Sequence, residues 1–378
     1  MKIFIVARGC PNERNHLLGI FEFEQAKVLS DLGHEVIYLS LDLRSIRRKR
    51  PLGYRSYIKK GVRIEEYSFP IGAVPKKVFI NLGEKVFRKL LKKVIEKYGK
   101  PDVIHAHFLD IATIVSKSKL DDIPFVITEH SSQLNRNLTS SEIKLYKDVY
   151  SRADKVITVS KDLRKRIKQI LDIDSICINN MINLTKFSYM PKFEKDNFVI
   201  TTIASLDNNK RVELVIEAIK KIIDDKKINN IQYNVIGQGP NRTDIEYLIN
   251  KYNLKKNVKL WGVITKEEIN EILHDTNCFV LASVKETFGV ACAEALYTGT
   301  PVVVTKCGGP EEFVDETNGV IVDDDSLVEG IMAIYNNYDS YDFEEISKTI
   351  EYKFSEEVIA KQIEDVYREV LLKRKGYE

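Results

Sequence analysis

Short apolar, β-branched runs alternate with amphipathic stretches along nearly the whole chain, and this alternation restricts the possible folds more than any other feature. Several runs are almost continuously apolar, which is typical of strands covered on both faces. Strands that alternate with helices predict parallel sheets built from right-handed crossover units. The predicted strands are 2–7, 35–39, 103–106, 125–128, 155–159, 175–178, 199–203, 233–236, 258–260, 278–281, 301–304 and 320–322. Representative predicted helices are 21–32, 140–151, 211–223 and 242–252.

The series of strands and helices restarts after a polar stretch at 183–196, which we interpret as a linker. This stretch contains Pro191 and five charged residues, Lys186, Lys192, Glu194, Lys195 and Asp196. At about 100–200 residues per domain, a chain of 378 residues fits two domains. We therefore predict an α/β fold of two facing, doubly wound parallel-sheet (Rossmann-like) domains over residues 1–183 and 197–350. A further helical pattern, at 354–373, ends the chain.

Composition excludes several protein classes. A chain that is 44% hydrophobic and 30% charged is neither disordered nor fibrous. The five cysteines are widely spaced and form no CxxC pair, which indicates a reduced chain without a cysteine-based zinc site. Apolar runs fall short of the roughly 18 residues that a membrane-spanning helix needs. The apolar run before Arg8 is too short for the hydrophobic region of a signal peptide. We expect a cytoplasmic protein.

The most informative segment is 283–310, where a predicted strand leads into a loop with Glu286 and Gly289, and then into a helix with Glu294. Glycine lets the backbone approach a ligand closely, and a helix N-terminus offers unpaired N–H groups, so a diphosphate fits here. Carboxylates repel phosphate but accept hydrogen bonds from hydroxyls, so both glutamates should contact sugar hydroxyls. The ligand that the segment implies is a nucleotide sugar.

Glu286, seven intervening residues and Glu294, continued by Gly299-Thr300-Pro301, resemble the signature of glycosyltransferase family 4. Residues 154–160, 180–183, 236–240 and 260–262 resemble other parts of the family in the expected order. The resemblance implies the GT-B architecture, a nucleotide-diphosphate sugar donor, retention of the anomeric configuration, and no metal or other cofactor. It also implies that a C-terminal helix within 355–378 packs back on the N-terminal domain, which binds the acceptor.

The resemblance also implies which residues act on the donor. Glu294 binds the ribose hydroxyls and Glu286 the hydroxyls of the donor sugar. Lys210 binds the diphosphate and stabilises the leaving group, the role that a metal would otherwise fill. The remaining donor-binding residues implied by the resemblance are Gly19, Gly237, Phe288, Gly289 and Val290.

Two positions depart from the family pattern. Ser205 stands where the family usually has an arginine, five residues before Lys210, which keeps a non-catalytic nucleotide-sugar-binding protein open as an alternative. Arg211 follows Lys210 where glycine is usual. We hypothesise that Arg211 partly compensates for the missing arginine; the alternative is a solvent-facing arginine at a helix start.

Three histidines lie at or just after strands predicted in the N-terminal half. The resemblance places His130 near the donor sugar and the reaction centre, so we predict that it is catalytic together with Glu286 and Lys210. His105 and His107 face the same side of a strand, which permits metal binding, but no carboxylate–histidine cluster supports a metal site. We interpret His105 as a hydrogen-bonded strand-end residue. The predicted acceptor-side residues are Glu22, Glu24 and His107.

Residues 44–100, which we call the basic segment, contain 18 Lys and Arg against 4 Asp and Glu, whereas the whole chain carries a net charge of only +3. Within this segment, 82–98 shows apolar residues at helical spacing with lysines on the other face. The apolar stripe should be core, and the cations should be solvated or attract an anionic membrane surface, which would place the protein on the inner face of the cell membrane. No nucleic-acid-binding motif is present, so we expect no nucleic acid partner.

We therefore expect a retaining, metal-independent glycosyltransferase of the hexosyltransferase type. It would transfer a sugar to a saccharide or lipid-linked saccharide acceptor in the synthesis of a surface polysaccharide: capsule, exopolysaccharide or lipopolysaccharide. Two alternatives stay open: a sugar-nucleotide epimerase on the same fold, and a non-catalytic nucleotide-sugar-binding partner of a transferase. A metal-dependent transferase would need an Asp-x-Asp pair, for which the candidates lie at 172–174 and 323–325.

Overall fold

The computed structural model describes residues 1–378 apart from 14, 16, 17, 73, 119, 121, 131–133, 135, 184, 193–195, 377 and 378. The chain divides into two compact units. Unit 1 comprises Met1–Met181 with Glu356–Glu378, and unit 2 comprises Ile182–Ser355. Each unit has its own core of buried aliphatic and aromatic side chains.

Unit 1 is built on a sheet whose described residues form eight strands in the spatial order β3-β4-β2-β1-β5-β6-β7-β8. The strand order runs outward in both directions from β1 and β5, which is the doubly wound arrangement. The strands are β1 (Lys2–Ala7), β2 (Glu35–Asp42), β3 (Gly53–Lys59), β4 (Val62–Ser68), β5 (Val103–His107), β6 (Phe125–Glu129), β7 (Lys155–Thr158) and β8 (Ile176–Cys177). The helices are α1 (Ile20–Asp31), α2 (Lys76–Tyr98), α3 (Leu109–Lys117), α4 (Ser140–Tyr150) and α5 (Lys161–Leu171).

The hairpin β3–β4 was absent from the sequence-based prediction, and its antiparallel β3 is an exception to the predicted parallel sheet. Its sequence is rich in charge and lacks the apolar runs that identify the other strands. The charges are accommodated because partners across the hairpin and on α2 neutralise them: Arg55 pairs with Glu66 at 2.6 Å, and Lys97 of α2 reaches Glu65 at 2.9 Å. β3 lies at the edge of the sheet, and Arg55, Ser56 and Ile58 on it are exposed.

Unit 2 contains a parallel sheet with six strands in the described residues, in the order β11-β10-β9-β12-β13-β14. This is the 3-2-1-4-5-6 order of a doubly wound dinucleotide-binding fold, and it confirms the predicted α/β class. The strands are β9 (Phe198–Ile203), β10 (Ile231–Ile236), β11 (Val258–Gly262), β12 (Cys278–Leu281), β13 (Val302–Thr305) and β14 (Gly319–Val322). The helices are α6 (Val212–Lys226), α7 (Arg242–Lys251), α8 (Lys266–His274), α9 (Val290–Tyr297), α10 (Leu327–Asn337) and α11 (Phe343–Phe354).

The stretch interpreted as a linker is anchored to unit 2 where the structure describes it. Lys192 donates hydrogen bonds to the carbonyl oxygens of Leu273 at 2.7 Å and Thr276 at 3.2 Å, and Phe187 is buried. Its polar composition therefore reflects contacts with the surface of unit 2 rather than a free connection. Glu194 and Lys195 lie outside the described residues.

The last helix, α12 (Glu356–Arg374), belongs to unit 1 and completes its core. Apolar residues at helical spacing on α12 are buried, and the Tyr367 hydroxyl donates a 2.6 Å hydrogen bond to Nδ1 of His105 in β5. At its C-terminal end, Arg374 forms an ion pair with Asp154 at 2.8 Å. The last element of the chain is therefore part of the unit that the first residues begin.

The helix predicted in the basic segment, α2, buries its apolar face and exposes its lysines, as expected. Not all of the counted cations are free, however. Asp42 binds both Arg44, at 2.7 Å, and Arg50, at 2.9 Å, and these pairs fix the loop after β2. In the described part of the chain, no helix has the length and hydrophobicity to cross a bilayer.

We predict that Tyr367→Phe lowers the free energy of unfolding by about 1–2 kcal/mol, because the buried Nδ1 of His105 loses its shortest hydrogen bond. Urea denaturation followed by circular dichroism measures the change. Tyr352→Phe is the matched control, because Tyr352 is 81% exposed. Equal stability of the two variants would show that α12 is held without this bond.

Candidate functional site

In unit 2, the loop between β12 and α9 lies at the point where the strand order reverses. β9 and β12 are neighbours in the sheet, and their following loops therefore leave its carboxyl edge side by side. The first loop carries Lys210 and the second carries Glu286. Asn209 ties the two loops together, because its side chain donates to the Lys285 carbonyl at 3.0 Å and its own carbonyl accepts from the Val284 N–H at 2.7 Å.

Glu286 and Lys210, predicted from the sequence as donor-binding residues, form an ion pair in this structure. Ser283 also donates a 2.6 Å hydrogen bond to the same carboxylate oxygen of Glu286. The Glu286 backbone is fixed by two further bonds, its N–H to the Cys307 carbonyl at 2.7 Å and its carbonyl from the Gly309 N–H at 3.2 Å. The carboxylate is thus held in one place, with the amine of Lys210 paired to it.

Gly289 starts α9 in the left-handed conformation, with φ 92° and ψ 54°. A Cβ at this position would lie 2.6 Å from Pro310, so both the backbone conformation and the available space require glycine. Phe288 is buried, whereas Val290 is half-buried at the first turn of the helix. The first N–H groups of α9 have no partner within the helix, as at any helix N-terminus. The arrangement can bind an anion.

Glu294 is the most deeply buried acid of this region, with 5% of its surface exposed. Burial raises the pKa of the Glu294 carboxyl, and an ion pair with Lys266 opposes this effect. Lys266 also lies over the ring of Phe187, 5.0 Å from its centroid. Because burial disfavours the charged form, the ion pair with Lys266 helps to keep the Glu294 carboxyl ionised.

The structure explains why position 237 requires glycine. Its φ is 133°, and a Cβ would lie 1.8 Å from the carbonyl oxygen of Ala204, at the end of the neighbouring strand β9. The close approach of two chains at the carboxyl edge of the sheet therefore demands glycine, whether or not a ligand is bound. Its role in donor binding stays a prediction.

Arg211 is not the solvent-facing residue that one interpretation described. Its side chain is 16% exposed and donates to the carbonyls of Ala282 at 2.7 Å and Ser283 at 3.1 Å, and it pairs with Asp324. Its φ of 47° is left-handed, a conformation that favours glycine. The hydrogen bonds hold Arg211 in that conformation. They tie up the guanidinium that would have to replace the arginine missing at Ser205.

In unit 1, His130 and His107 lie at the carboxyl ends of the neighbouring strands β6 and β5. The Nδ1–H of His130 donates to Oδ1 of Asn180 at 3.0 Å, so its Nε2 accepts from Nδ1–H of His107 at 2.9 Å. Burial lowers the pKa of His130 to about 3 and the pKa of His107 well below its usual range. Both rings are neutral at physiological pH. His107 is fully buried, whereas His130 is half-buried and fits hydrogen bonding to a substrate better than proton donation.

His105 has the structural role that the sequence predicted. It accepts a hydrogen bond from Tyr367 at Nδ1, while Gln25 lies 3.1 Å from the same atom. Its Nε2–H donates to the Thr128 hydroxyl at 2.7 Å. Because the ring is buried among these partners, burial lowers its pKa to about 3.

Gly19 and the two acceptor-side glutamates lie at the start of α1. Gly19 is left-handed, with φ 67°, and a Cβ would lie 2.3 Å from the Gly9 carbonyl. Glu22 is 1% exposed, and its Oε1 has no hydrogen-bond partner among the described residues. Burial raises its pKa from 4.5 to about 7, although the positive charge of Arg8 acts in the opposite direction. Glu24 is half-buried on the same helix.

The carboxylates considered for a metal site have other partners. Asp172 and Asp174 both pair with Lys168, at 2.8 Å and 3.1 Å, and Asp324 pairs with Arg211. Among the described residues, no group of three or more histidine, cysteine or acidic side chains is placed to hold a metal ion.

The sequence reasoning missed three residues that organise the site: Lys266, Asn209 and Asn180. Lys266 had a usable signal, because Thr265 and Glu268 form a capping box that starts α8 at Lys266. Its pairing with Glu294 joins residues 28 positions apart, which no local pattern contains. Asn180 and Asn209 likewise act through neighbours that only the fold brings close.

Two family models match the chain. The model described as Glycosyltransferase Family 4 matches residues 22–186, and the model described as Glycosyl transferases group 1 matches residues 186–352. Among curated relatives, the glycosyltransferase MJ1607 of Methanocaldococcus jannaschii is 28% identical over 76% of this chain and 79% of its own length. TuaC of Bacillus subtilis, named for teichuronic acid biosynthesis, is 24% identical over 82% of each chain.

Solved structures share the fold. Sucrose-phosphate synthase from Thermosynechococcus elongatus superposes with a TM-score of 0.81 at 20% identity, covering 99% of this chain and 100% of that one. HepE from Anabaena, crystallised with UDP, superposes with a TM-score of 0.74 at 17% identity, covering 98% of this chain and 100% of that one. The two doubly wound units are those of the GT-B fold.

We predict that Glu22→Gln stabilises the protein more at pH 8 than at pH 5. The folded protein keeps a proton on Glu22 between pH 4.5 and about 7 that the unfolded chain releases, so the stability from the neutral carboxyl is lost as the pH rises through this window. Glutamine never ionises, so the variant should gain about 2 kcal/mol relative to the wild type over this range. Urea denaturation at both pH values measures the difference. The exposed Glu357→Gln is the control, and an equal response of the two variants would contradict the prediction.

Proposed function

The chain belongs to glycosyltransferase family 4, and on this premise we propose that it transfers a sugar from a nucleoside-diphosphate donor to a saccharide or lipid-linked saccharide acceptor. The proposal is carried by four charged residues of unit 2, which we call the donor corner. There, Glu286 with Lys210 and Glu294 with Lys266 lie in and around the loop that opens α9. HepE, which shares the fold and was crystallised with UDP, supports a nucleotide donor.

In the proposed complex, the diphosphate lies against the first N–H groups of α9 and the amine of Lys210. Glu294 accepts hydrogen bonds from the ribose, and Glu286 accepts them from the donor sugar. Both carboxylates already have a cation, so each can keep its charge near the diphosphate. A bound diphosphate would compete with Glu286 for Lys210, which would free that carboxylate for a sugar hydroxyl.

We propose further that transfer retains the anomeric configuration and needs no metal ion. The bond from the sugar C1 to the phosphate oxygen breaks while the acceptor oxygen attacks C1 from the same face. The acceptor proton passes to the leaving phosphate oxygen. Lys210 stabilises the negative charge that develops on the diphosphate. His130, neutral because of its low pKa, would hydrogen-bond the donor sugar rather than act as an acid.

The acceptor belongs, in this proposal, to a surface polysaccharide. TuaC, named for teichuronic acid biosynthesis, matches the chain over most of its length and supports this class. The acceptor-side residues are Glu22, Glu24 and His107 of unit 1, and the acceptor is free or lipid-linked.

We propose that unit 1 binds peripherally to an anionic membrane, on the inner face of the cell membrane. Exposed apolar side chains are concentrated in the basic segment, where cations interleave with them: Ile46, Leu52, Ile58, Phe69, Val74 and Val78. Because the apolar face of α2 is buried in the core, the contact surface is the loop after β2, where Ile46, Arg47 and Arg48 are exposed. Cations near an anionic leaflet contribute about 1 kcal/mol each.

To test donor binding, a panel of UDP-, GDP- and dTDP-sugars is screened by thermal shift, and the best nucleotide is then titrated by calorimetry. We expect Glu294→Gln to weaken binding about tenfold or more, because a charged acceptor of hydroxyl hydrogen bonds is lost. Lys266→Met should weaken binding more at pH 6 than at pH 8.5, because the pKa of the unpaired Glu294 rises further and the carboxylate takes up a proton.

Lys255→Met, an exposed lysine of unit 2, is the control for Lys266→Met. Unchanged affinity in Glu294→Gln would show that the donor corner is assigned wrongly. Failure of the wild type to bind any nucleotide sugar would refute the function itself. Anomer analysis of the product by NMR, with and without chelator, tests retention and metal independence, and isomerisation of the donor without acceptor would identify an epimerase instead.

We predict that Arg47→Gln with Arg48→Gln reduces partitioning onto vesicles rich in phosphatidylglycerol about thirtyfold, since two cations contribute roughly 2 kcal/mol. Co-sedimentation at low and high salt, with phosphatidylcholine vesicles as the neutral comparison, measures the loss. The control is Arg164→Gln with Lys165→Gln, an exposed pair on α5 that removes the same charge. Equal losses in both variants, or binding that ignores lipid charge, would rule out the loop after β2 as the contact.

A further inference from the structure

Four side chains form a continuous stack at the carboxyl ends of β1, β5 and β6 in unit 1. The guanidinium carbon of Arg8 lies 4.0 Å from the centroid of the Phe108 ring, and that ring lies 4.9 Å from the His130 ring. On its other side, His130 is parallel to Phe21, with the centroids 5.9 Å apart. Arg8 is exposed and the three rings are half-buried, so the stack reaches the solvent.

The stack lies where a doubly wound sheet binds ligands. β1 and β5 are the two strands from which the order runs outward, and Arg8 and Phe108 are the first residues after them. Ligands of open α/β sheets bind outside the carboxyl ends of the strands at this reversal. Besides His130, which the proposed function assigns to the donor sugar, the stack contains Arg8, Phe108 and Phe21, which the proposed function does not use.

Phe108 has a strained backbone, with φ 64° and ψ 142°. Residues other than glycine rarely adopt this conformation, and it persists only where the surroundings enforce it, most often at functional sites. Here the Phe108 N–H donates to the Thr128 carbonyl at 3.0 Å, and its carbonyl accepts from the Ala112 N–H at 2.9 Å. The result of the strain is a ring held between the cation of Arg8 and the imidazole of His130.

The charges of this corner are incompletely paired. Within the described ranges, Arg8 has no hydrogen bond and no ion pair; its contact is the ring of Phe108. Glu22, whose buried carboxyl lies within reach of the Arg8 charge, has an oxygen without a partner in the same ranges. Buried polar atoms nearly always have partners, so an unpartnered buried oxygen close to an unpaired cation indicates a place where a polar ligand can bind.

We propose that this stack is an acceptor subsite for a sugar that carries an anionic group, either a phosphate or a carboxylate. The sugar ring packs against the edge of Phe108, whose faces are taken by Arg8 and His130, and against the ring of Phe21, since aromatic rings offer rigid apolar surface. The anionic group binds the guanidinium of Arg8, whose planar fork matches the oxygens of phosphate and carboxylate. The inference rests on the proposed function and names the chemical class of its acceptor.

The experiment compares three probes that share one ring: glucose, glucose 6-phosphate and glucuronate. Each is titrated by ligand-observed NMR against the full-length protein with saturating UDP, which keeps the phosphorylated probe out of the donor corner. We expect at least one charged probe to bind about tenfold more tightly than glucose, and Arg8→Gln to abolish this preference. Arg152→Gln, an exposed arginine elsewhere in unit 1, should retain it.

Phe108→Gly is the second variant, because glycine adopts the same backbone conformation without strain and removes only the ring. It should weaken all three probes alike, whereas Arg8→Gln weakens only the charged ones. Circular dichroism checks that both variants are folded.

Tighter binding of glucose 6-phosphate identifies a phosphate-bearing acceptor, and tighter binding of glucuronate identifies an acidic sugar. The proposal would be overturned if the wild-type protein bound the charged probes no more tightly than glucose. It would also be overturned if Arg8→Gln kept the full preference for the charged probes. If UDP fails to bind, the proposed function fails, and the same titrations without UDP still test the stack.

Discussion

The parallel arrangement of the strands determines where the functional side chains lie. In each sheet the carboxyl ends of parallel strands meet at one edge, and the loops that follow these strands lie side by side along it. In unit 2 this edge brings Lys210, after β9, to Glu286, after β12. In unit 1 it brings His130 to His107. The side chains with chemistry are therefore collected by topology, although they come from distant parts of the sequence. Both units collect such side chains at the carboxyl edge of a sheet, but the side chains are charged in unit 2 and largely neutral in unit 1.

The two units differ in whether their buried ionisable side chains have a counter-ion. Glu294 is buried and keeps a lysine beside it, so a carboxylate can persist where solvent is excluded. Among the described residues, His105, His107 and His130 have no such counter-ion, and burial lowers their pKa values, so the three rings are neutral. A donor with a diphosphate and hydroxyls suits the charged corner. In unit 1, the neutral rings of Phe108, His130 and Phe21 lie next to the exposed cation Arg8. This arrangement suits an acceptor that carries a single negative charge at one end.

Much of the fold could be predicted because each element carries its pattern locally. β1 and β12 were predicted with their correct ends, and α1, α4 and α7 to within one residue at each end, since apolar periodicity and caps are encoded in neighbouring residues. The hairpin β3–β4 could not be predicted this way. Its charges, Arg55 and Glu66 among them, are tolerable in strands only because they pair across the sheet and with α2, and periodicity does not register such partners.

By itself, the sequence determined the two α/β units and the loop of Glu286, Gly289 and Glu294, because these depend on spacing and on the conformational needs of glycine. Tertiary structure alone decided which cation accompanies each carboxylate, which nitrogen of His130 carries its proton, and that α12 returns to unit 1. It also decided that Phe108 is strained against Arg8 and His130. The physical reason is that charge neutralisation, tautomers and strain are set by groups in space, and these groups lie tens to hundreds of residues apart in the chain.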